Sequence, residues 1–432
     1  MNNNFFLKSD NPQEIENFLV SHKKSTTSSF GDMPKKVMDI IKEVEVLGDT
    51  ALKNFTKEFD GVNLTQIEVD KQEITKALNN TDRAFLNALE QAHDNIYAFH
   101  SNQKQSGFWM TDKKGVVLGQ KVTPLDRIGI YAPGGTASYP SSVLMGAIPA
   151  KIAGVTEIIL ISPPNETGQV NSSVLAAAAL AGVNRVFNIG GAHGIAALAF
   201  GTKTVPAVDK IVGPGNAYVA IAKQLVQRFV AIDSIAGPSE VLIIADDSAN
   251  PAYIAADILA QAEHDIMSRL FLVCKSESVH KSTYVEIEKQ LKTLPRKDIA
   301  TKALENFCVI ETSTLDLAAT TSNMIAPEHL QIMTSEPFAI LSQIKHAGSI
   351  FLGHFSPEAL GDYFAGVNHV LPTAGTARFS SGLSVDDFIK KSSVIYYNKE
   401  ALLLEAQKIA RLARTEGLDG HARSVEIRGE KS

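Results

Sequence analysis

Residues 127–140 read Arg127-Ile-Gly-Ile-Tyr131-Ala-Pro-Gly-Gly-Thr-Ala-Ser-Tyr-Pro140. The first five residues predict a short strand, the glycines predict a tight turn, and Pro140 is typical of the first turn of a helix. The same order of strand, Gly-rich turn and helix returns over residues 185–200 and 210–227. Such alternation indicates an open, mostly parallel sheet with helices on both faces. We therefore predict an α/β fold.

A second alternating segment follows Arg269, with apolar strand-like runs at 270–274, 308–310, 330–333 and 348–352. At 432 residues the chain is too long for one hydrophobic core, and about three domains are expected. The segment 416–424 contains Gly417 and Gly420, which favour a shaped loop there over a helix.

The overall composition describes a globular protein, with 44% hydrophobic and 20% charged residues. A net charge of −6 gives no reason to expect a nucleic acid or an anionic membrane surface as a partner. No run of eighteen apolar residues exists, and the first eight residues lack the apolar core of a signal peptide. Cys274 and Cys308 lie in apolar runs, which predicts buried free thiols in a cytoplasmic protein.

The three Gly-rich turns, at 132–139, 190–193 and 213–216, each open a predicted helix. Glycine allows close approach of a ligand to the backbone, and a helix N-terminus offers free N–H groups to an anion such as a pyrophosphate. The usual dinucleotide fingerprint, G-x-G-x-x-G, is absent from all three turns. From spacing alone, a nucleotide site and simple tight turns remain equally open.

Four polar residues suggest a metal site. Gln261 and His264 are three residues apart on a predicted helix, so their side chains share one face. With Asp362, which follows a predicted strand in a position where ligands collect, and His421, they form a mixed nitrogen and oxygen set that suits zinc. Each residue alone is more often structural than functional.

Glu328 and His329 are adjacent, directly after Pro327. Side chains of adjacent residues point in different directions, so Glu328 and His329 would have different chemical roles. A carboxylate and an imidazole in one loop suit a water-activating base and a proton acceptor near neutral pH. An ordinary surface loop is the alternative interpretation.

Seven motifs, spread in order along the chain, carry a family resemblance. They are Tyr131-Ala-Pro-Gly-Gly, Gly213-Pro-Gly-Asn216, Ala236-Gly-Pro-Ser-Glu240, Gln261-Ala-Glu-His264, Pro327-Glu-His329, Gly361-Asp362-Tyr363 and Glu416-Gly-Leu-Asp-Gly-His421. Together they resemble the L-histidinol dehydrogenase family, over nearly the whole chain.

The resemblance implies a fold of two incomplete Rossmann-like domains with mostly parallel sheets, plus small N- and C-terminal domains. A helical segment would span 1–25, and the first Rossmann-like domain, with the metal and catalytic residues, would comprise 26–130 and 239–383. The second, with the NAD-binding turns, would span 131–238. The C-terminal domain, 384–432, would reach the partner subunit of a domain-swapped homodimer.

The resemblance also implies a cytoplasmic enzyme of histidine biosynthesis that oxidises L-histidinol through L-histidinaldehyde to L-histidine with two NAD. Its implied residues are the following: Gln261, His264, Asp362 and His421 for one zinc ion per subunit; Glu328 and His329 for catalysis; Tyr131, His193 and Asn216 for NAD. Substrate contacts are implied for Ser239, His369 and Glu416, for His329, and for the four metal ligands.

One position departs from the family pattern. His193 stands where similar proteins usually carry Gln, and its shape differs although it still forms one hydrogen bond. Two alternatives remain open: a related zinc and NAD dehydrogenase that acts on another polar alcohol, and a non-catalytic ligand-binding homologue. The second predicts the loss of Glu328-His329 or of metal ligands, and none is lost.

Overall fold

The fold is taken from a computed structural model that describes residues 5–26, 31–111, 113–134, 138–235 and 237–429. Three predicted features lie wholly or partly outside these residues: Gly135, Thr136 and Ala137 of the first Gly-rich turn, Ala236 of the third motif, and the N-terminal residues 1–4. Within the described residues, no helix is long and apolar enough to cross a membrane.

The strands, in chain order, are β1 (Phe5–Lys8), β2 (Phe108–Met110), β3 (Val116–Pro124), β4 (Arg127–Tyr131), β5 (Glu157–Ile161), β6 (Arg185–Phe187), β7 (Lys210–Val212), β8 (Ala231–Ile232), β9 (Glu240–Ala245), β10 (Arg269–Cys274), β11 (Cys308–Glu311), β12 (His329–Met333), β13 (Ser349–Leu352) and β14 (Ile389–Tyr397). The helices are α1 (Pro12–Thr26), α2 (Met33–Leu47), α3 (Asp49–Asp60), α4 (Lys71–Asn79), α5 (Arg83–Ser101), α6 (Pro140–Ala153), α7 (Ser172–Ala181), α8 (Gly191–Phe200), α9 (Ala217–Val226), α10 (Pro251–Ala262), α11 (Glu277–Leu291), α12 (Lys297–Ala303), α13 (Leu315–Ile325), α14 (Glu358–Tyr363), α15 (Lys399–Thr415) and α16 (Asp419–Glu426).

Two parallel sheets form the larger of two compact units, which comprises Met1–Gln103 and Asp126–Phe388. The first sheet has six strands in the order β1-β11-β10-β9-β12-β13, and every pairing in it is parallel. The second has five strands in the order β6-β5-β4-β7-β8, also all parallel. The predicted α/β fold with mostly parallel sheets is confirmed.

The central strand of the first sheet, β9, is buried along its whole length. Its Val241 and Ile243 belong to the core under α10 and α11, while Leu242 and Ile244 belong to the core on the opposite face. Because successive side chains of a strand point to opposite faces, a strand covered on both sides is mostly apolar, and in β9 only the first residue, Glu240, is charged. Both cysteines are buried and unpaired in this sheet, as predicted.

In the second sheet, β5 and β6 extend to one side of β4, while β7 and β8 extend to the other. The strand order therefore reverses between β4 and β7, which is a topological switch point. In such sheets a crevice opens outside the carboxyl ends of the two strands at this point. The core of this sheet also takes in apolar residues of α2 and α3, among them Val37, Ile41 and Phe55.

The smaller unit comprises Lys104–Leu125 and Ile389–Ser432. Its antiparallel sheet has the order β14-β3-β2, and α15 and α16 follow β14 along the chain.

Three segments belong to other parts of the fold than the predicted domain boundaries assign them to. Residues 5–8, predicted within a helical segment, form β1, because they pair in parallel with Cys308–Glu311, a partner no local pattern reveals. Helices α2 and α3 pack in the core of the second sheet. The segment 104–125 pairs with β14, since β3 is antiparallel to it over nine residues. The predicted division into domains otherwise stays a prediction.

Candidate active site

Helix α10 brings Gln261 and His264 to the amino-terminal edge of the first sheet. Asn250 caps its start by accepting the backbone N–H of Ala252 at 2.9 Å, and Pro251 occupies the first turn. The helix runs back against the direction of the strands and ends at Ala262. Gln261 is buried in its last turn, but His264, predicted on the same helix, lies in the turn that follows Glu263.

Helix α14 brings two carboxylates to the same place. Glu358 and Asp362 are four residues apart, so both lie on one face of this helix. Ligand atoms of His264, Glu358 and Asp362 all lie within 4.8 Å of one another. Sequence analysis missed Glu358, although its spacing from Asp362 was a usable signal.

The position of this cluster differs from the predicted one. Asp362 was expected beside the carboxyl end of a strand, but His329 and Glu240 begin their strands, so the cluster lies at the amino edge. The reason is that α10 and α14 both follow a strand and return along the sheet, so their last turns reach this edge. The C-terminal end of a helix carries partial negative charge, which favours a bound cation.

The amide of Gln261 joins the cluster to the first residue of β9. Its Nε2 donates to Glu358 Oε2 at 3.1 Å, and its Oε1 accepts from the backbone N–H of Glu240 at 3.0 Å. That same N–H also lies 2.8 Å from Glu328 Oε2. One hydrogen shared between two acceptors leaves the Gln261 oxygen with spare capacity for a cation.

His329, the first residue of β12, is oriented through its Nδ1 atom. Nδ1 lies 3.0 Å from the carbonyl oxygen of Glu240, and a carbonyl only accepts, so Nδ1 carries the hydrogen. The other nitrogen, Nε2, is buried without a hydrogen bond and lies 3.7 Å from Asp362 Oδ1. In the neutral ring, Nε2 is therefore the basic nitrogen, and it faces the cluster.

The charges of this centre are unbalanced. Burial raises the pKa of Glu328 to about 7 and that of Glu358 to about 8. Burial alone would lower the pKa of His329, but the carboxylates of Glu358 and Glu328 outweigh it and raise that pKa. Burial likewise acts to raise the pKa of Asp362, yet its contact with His329 leaves it lowered. A divalent cation would supply positive charge beside these carboxylates and lower the pKa of His329 again, which the ring needs in order to act as a neutral base.

Glu240, the first residue of β9, is fully buried and forms an ion pair with Arg269. Ser239 precedes it, and the Ser239 carbonyl oxygen accepts the backbone N–H of Arg269 at 2.9 Å. The main chain that carries Ser239 is therefore fixed at the amino end of β9. Strand pairing thus holds Ser239 next to the residue that contacts both Gln261 and His329.

His369 lies on the other side of Asp362. Its Nδ1 donates to the Asp362 carbonyl oxygen at 2.9 Å, and its Nε2 lies 3.3 Å from Ser142 Oγ on α6. These contacts fix the backbone of Asp362 from outside the helix. The structure thus brings Gln261, His264, Glu328, His329, Asp362 and His369 together in one unit.

A cavity of about 640 Å³ opens beside His264. Its apolar lining comes mainly from α5 and α6. Its polar lining residues include Glu263, His264, Arg296 and Ser141. A small polar molecule entering this cavity would meet the metal-binding candidates at one end.

The three residues predicted to bind NAD lie at the carboxyl edge of the second sheet. Tyr131 ends β4, and its hydroxyl accepts the backbone N–H of Gly191 at 3.3 Å. Asn216 is exposed and caps α9 by accepting the Val219 N–H at 3.2 Å. Both therefore lie at the carboxyl ends of β4 and β7, where the strand order reverses and where such sheets usually bind ligands.

His193 is buried, as Tyr131 is, whereas Asn216 is exposed. His193 is 1% exposed, its Nε2 lies 3.3 Å from Thr56 Oγ1, and its ring packs beside Phe55 and Phe59. Burial lowers its pKa to about 3, so the ring is neutral. Its side chain faces α3 in the core.

Glu416 and His421 belong to the smaller unit, and both are exposed there. Gly417 has a φ of +78° and ends α15, but His421 lies within α16 together with Gly420. The predicted shaped loop is therefore wrong for residues 419–424. Arg414 holds the turn, because it contacts both carboxylate oxygens of Glu426 at 2.7 and 2.8 Å and Asp419 at 3.0 Å.

Fold and site together define an α/β enzyme with a buried carboxylate and imidazole centre suited to a divalent cation. A model of the histidinol dehydrogenase family matches residues 23–429. The histidinol dehydrogenase of Geobacillus kaustophilus is 52% identical over 413 residues, which cover 95% of this chain and 97% of that protein. That of Listeria monocytogenes serovar 1/2a is 53% identical over 410 residues, covering 94% and 96%.

A solved structure agrees with these relatives. The histidinol dehydrogenase of Elizabethkingia anophelis superposes with a TM-score of 0.91 at 40% identity, covering 98% of this chain and 97% of that one. The chain belongs to the histidinol dehydrogenase family and is thus an oxidoreductase. The predicted family membership is confirmed.

Proposed function

We propose that this protein oxidises L-histidinol through L-histidinaldehyde to L-histidine, with reduction of two NAD, as the last steps of histidine biosynthesis. The observation that carries the proposal is the orientation of His329. Its Nδ1–H is donated to the Glu240 carbonyl, so its basic Nε2 faces the cluster of His264, Glu358 and Asp362. Membership of the family along residues 23–429 supports the choice of substrate.

The first oxidation requires a base for the hydroxyl proton of the substrate. His329 Nε2 would accept this proton while the hydride of the same carbon passes to NAD, which leaves the aldehyde. The site must hold the carbon close to the nicotinamide, and Ser239, His369 and the metal-binding side chains would orient the substrate.

The second oxidation consumes water. Glu328 would remove a proton from a water molecule as its oxygen attacks the aldehyde carbon, giving a hydrated aldehyde. His329 would then take a hydroxyl proton while the second hydride passes to a second NAD. Overall, one alcohol, one water and two NAD give one carboxylate, two NADH and three protons.

Zinc is the metal we propose, held by Gln261, His264 and Asp362 together with His421 of the partner subunit. The residues present fit this ion: ligand atoms of His264, Asp362 and the neighbouring Glu358 lie within 4.8 Å of one another, burial lowers the pKa of His264 and so favours the neutral, ligating ring, and two helix C-termini meet there. When bound, the ion would orient the imidazole and amine of the substrate. Glu358 would hold Gln261 through its amide nitrogen.

A homodimer with exchange of the C-terminal domain would complete this site. The larger unit supplies Gln261, His264 and Asp362, while Glu416 and His421 are exposed on the smaller unit and available to another copy. In this proposal, Glu416 of the partner subunit contacts the substrate.

NAD would bind at the carboxyl edge of the second sheet, against Tyr131 and Asn216. His193 would support this region from the core, since its buried ring offers the cofactor no contact. A cytoplasmic location stays a prediction.

The test is to follow NADH formation by the zinc-loaded protein with L-histidinol and with other polar amino alcohols. We expect two NADH for each histidinol consumed and histidine as the product. Negligible turnover of histidinol with rapid turnover of another alcohol would favour the alternative dehydrogenase. No turnover of any alcohol, despite bound zinc, would favour a ligand-binding homologue.

A further inference from the structure

Lys223 and Asp233 form an ion pair inside the second sheet that the proposed chemistry does not use. Lys223 lies in the last turns of α9, and Asp233 follows β8. The side chains are only 2% and 5% exposed. A buried ion pair adds little stability over apolar residues of the same volume, because removing two charges from water is costly. We therefore consider which backbone groups the pair holds in place.

Both charges bind the backbone of one residue, Gly213. The Lys223 ammonium donates to the Gly213 carbonyl oxygen at 3.1 Å, and Asp233 Oδ2 accepts the Gly213 N–H at 2.8 Å. The peptide groups on either side of this residue are therefore fixed by groups that cannot reorient in solvent. Charge-assisted hydrogen bonds of this kind are stronger than neutral ones.

Gly213 has a conformation that needs such support. Its φ is +112°, a region that other residues rarely adopt, and a Cβ atom there would collide with the carbonyl oxygen of Tyr131. The residue therefore packs the end of β7 directly against the end of β4. It also begins the turn 213–216, whose last residue, Asn216, caps α9.

We infer that the Lys223–Asp233 pair positions Gly213, and through it Tyr131 and Asn216, for binding of the nicotinamide dinucleotide. The inference rests on the cofactor site proposed above. The Lys223 ammonium is engaged by Asp233 and the Gly213 carbonyl oxygen, so it acts as a positioning residue through the backbone. The pair thus fixes the backbone of Gly213, where the end of β7 packs against the end of β4.

The experiment measures the dissociation constant of NADH for the full-length, zinc-loaded protein by fluorescence, together with KM values for NAD and histidinol. In Asp233→Asn we expect the NADH dissociation constant and the KM for NAD to rise at least about tenfold, while the KM for histidinol changes less than about twofold. A purely structural role would lower the melting temperature and the folded fraction without this split.

Asp387→Asn is the matched control. Asp387 pairs with Lys210 at 2.7 Å, and Lys210 begins the same strand, β7, whose other end leads into Gly213. The variant also removes a carboxylate from a largely buried lysine, but at the opposite end of the strand. We expect a lower melting temperature with unchanged affinity for NADH. An equal loss of NADH affinity in both variants would overturn the inference.

Asn216→Ala separates failure of the inference from failure of the site. If it weakens NADH binding while Asp233→Asn lowers only stability, the cofactor site stands and the inference is wrong. If Asn216→Ala leaves NADH binding unchanged, the proposed cofactor site and the inference both fall.

Should Asp233→Asn not fold, the double variant Lys223→Met with Asp233→Leu removes both charges and avoids an unpaired one. We expect it to fold and to bind NADH at least about tenfold more weakly. Wild-type affinity in this variant would overturn the inference.

Discussion

Replacing Glu328 by Gln should separate the two oxidations. Gln has nearly the same shape, and its oxygen can still accept the Glu240 N–H that Glu328 Oε2 accepts at 2.8 Å. The buried main chain of β9 and β12 should therefore keep its arrangement. The variant loses the ability to take a proton from water, and the loss of a general base costs about 10²–10⁴ in rate.

We expect the second oxidation to slow by about 10²–10³, and the first by less than about tenfold, because only the second requires water activation. Single-turnover measurements with histidinol and excess NAD resolve the first and second NADH formed. Starting the reaction from histidinaldehyde isolates the second step and serves as the control. Equal slowing of both NADH phases, or histidine formation at the normal rate, would refute the role of Glu328.

The pH dependence provides a second check on the same residue. Glu328 acts as a base only when it is ionised, and burial raises its pKa to about 7. The rate of the second oxidation should therefore rise with pH through about 7 in the wild type, then level off. Glu328→Gln should lose the rise centred near pH 7, while the dependence that comes from His329, the other base of this step, remains. A wild-type rate that is flat from pH 6 to 8 would contradict the assignment.

Four further predictions concern other groups. Chelation should abolish histidinol oxidation, zinc should restore it, and NADH binding should survive chelation, since His264 and the nucleotide turns belong to different sheets. Glu358→Ala should weaken zinc binding by about 10–100-fold in a chelator competition, because no side-chain oxygen remains to accept the amide N–H of Gln261. Unchanged zinc affinity would exclude this role. His193→Gln should change the KM for NAD less than about twofold, since the ring is buried, and a larger rise would place it at the cofactor. Burial raises the pKa of Asp257 to about 6, so the folded wild type resists ionisation of this group and loses stability as pH rises from about 4 to 6. Asp257→Asn should therefore raise the free energy of unfolding above pH 6 by at most about 3 kcal/mol. Equal denaturant midpoints for both proteins at pH 8 would contradict this.

The alternation of apolar runs and Gly-rich turns predicted both parallel sheets, because strands buried on two faces leave a strong local signal. The grouping of Gln261, His264, Asp362 and His329 was predicted from their motifs and from the family resemblance, but the place of this group at the amino edge of the sheet was not. Glu358 was missed because a glutamate at the start of a short helix usually faces water. Its burial depends on how α14 returns along the sheet.

Other errors share this cause. The residues of β1 look like any short apolar run, and their pairing with β11 depends on a partner that is distant in sequence. Gly420 argued against a helix, yet α16 forms around it, with Arg414 linking Asp419 to Glu426 across the turn. Long-range contacts outweighed local propensity in both places.

The edge position of β1 has a consequence for synthesis of the chain. Phe5–Lys8 is synthesised before its partner Cys308–Glu311, which follows after roughly 300 more residues, about 15–60 s later at elongation rates of about 5–20 residues per second. During this interval the backbone groups of the strand have no partner in the sheet, and its apolar side chains are open to chaperones. This edge of the sheet therefore forms only after most of the chain has been translated.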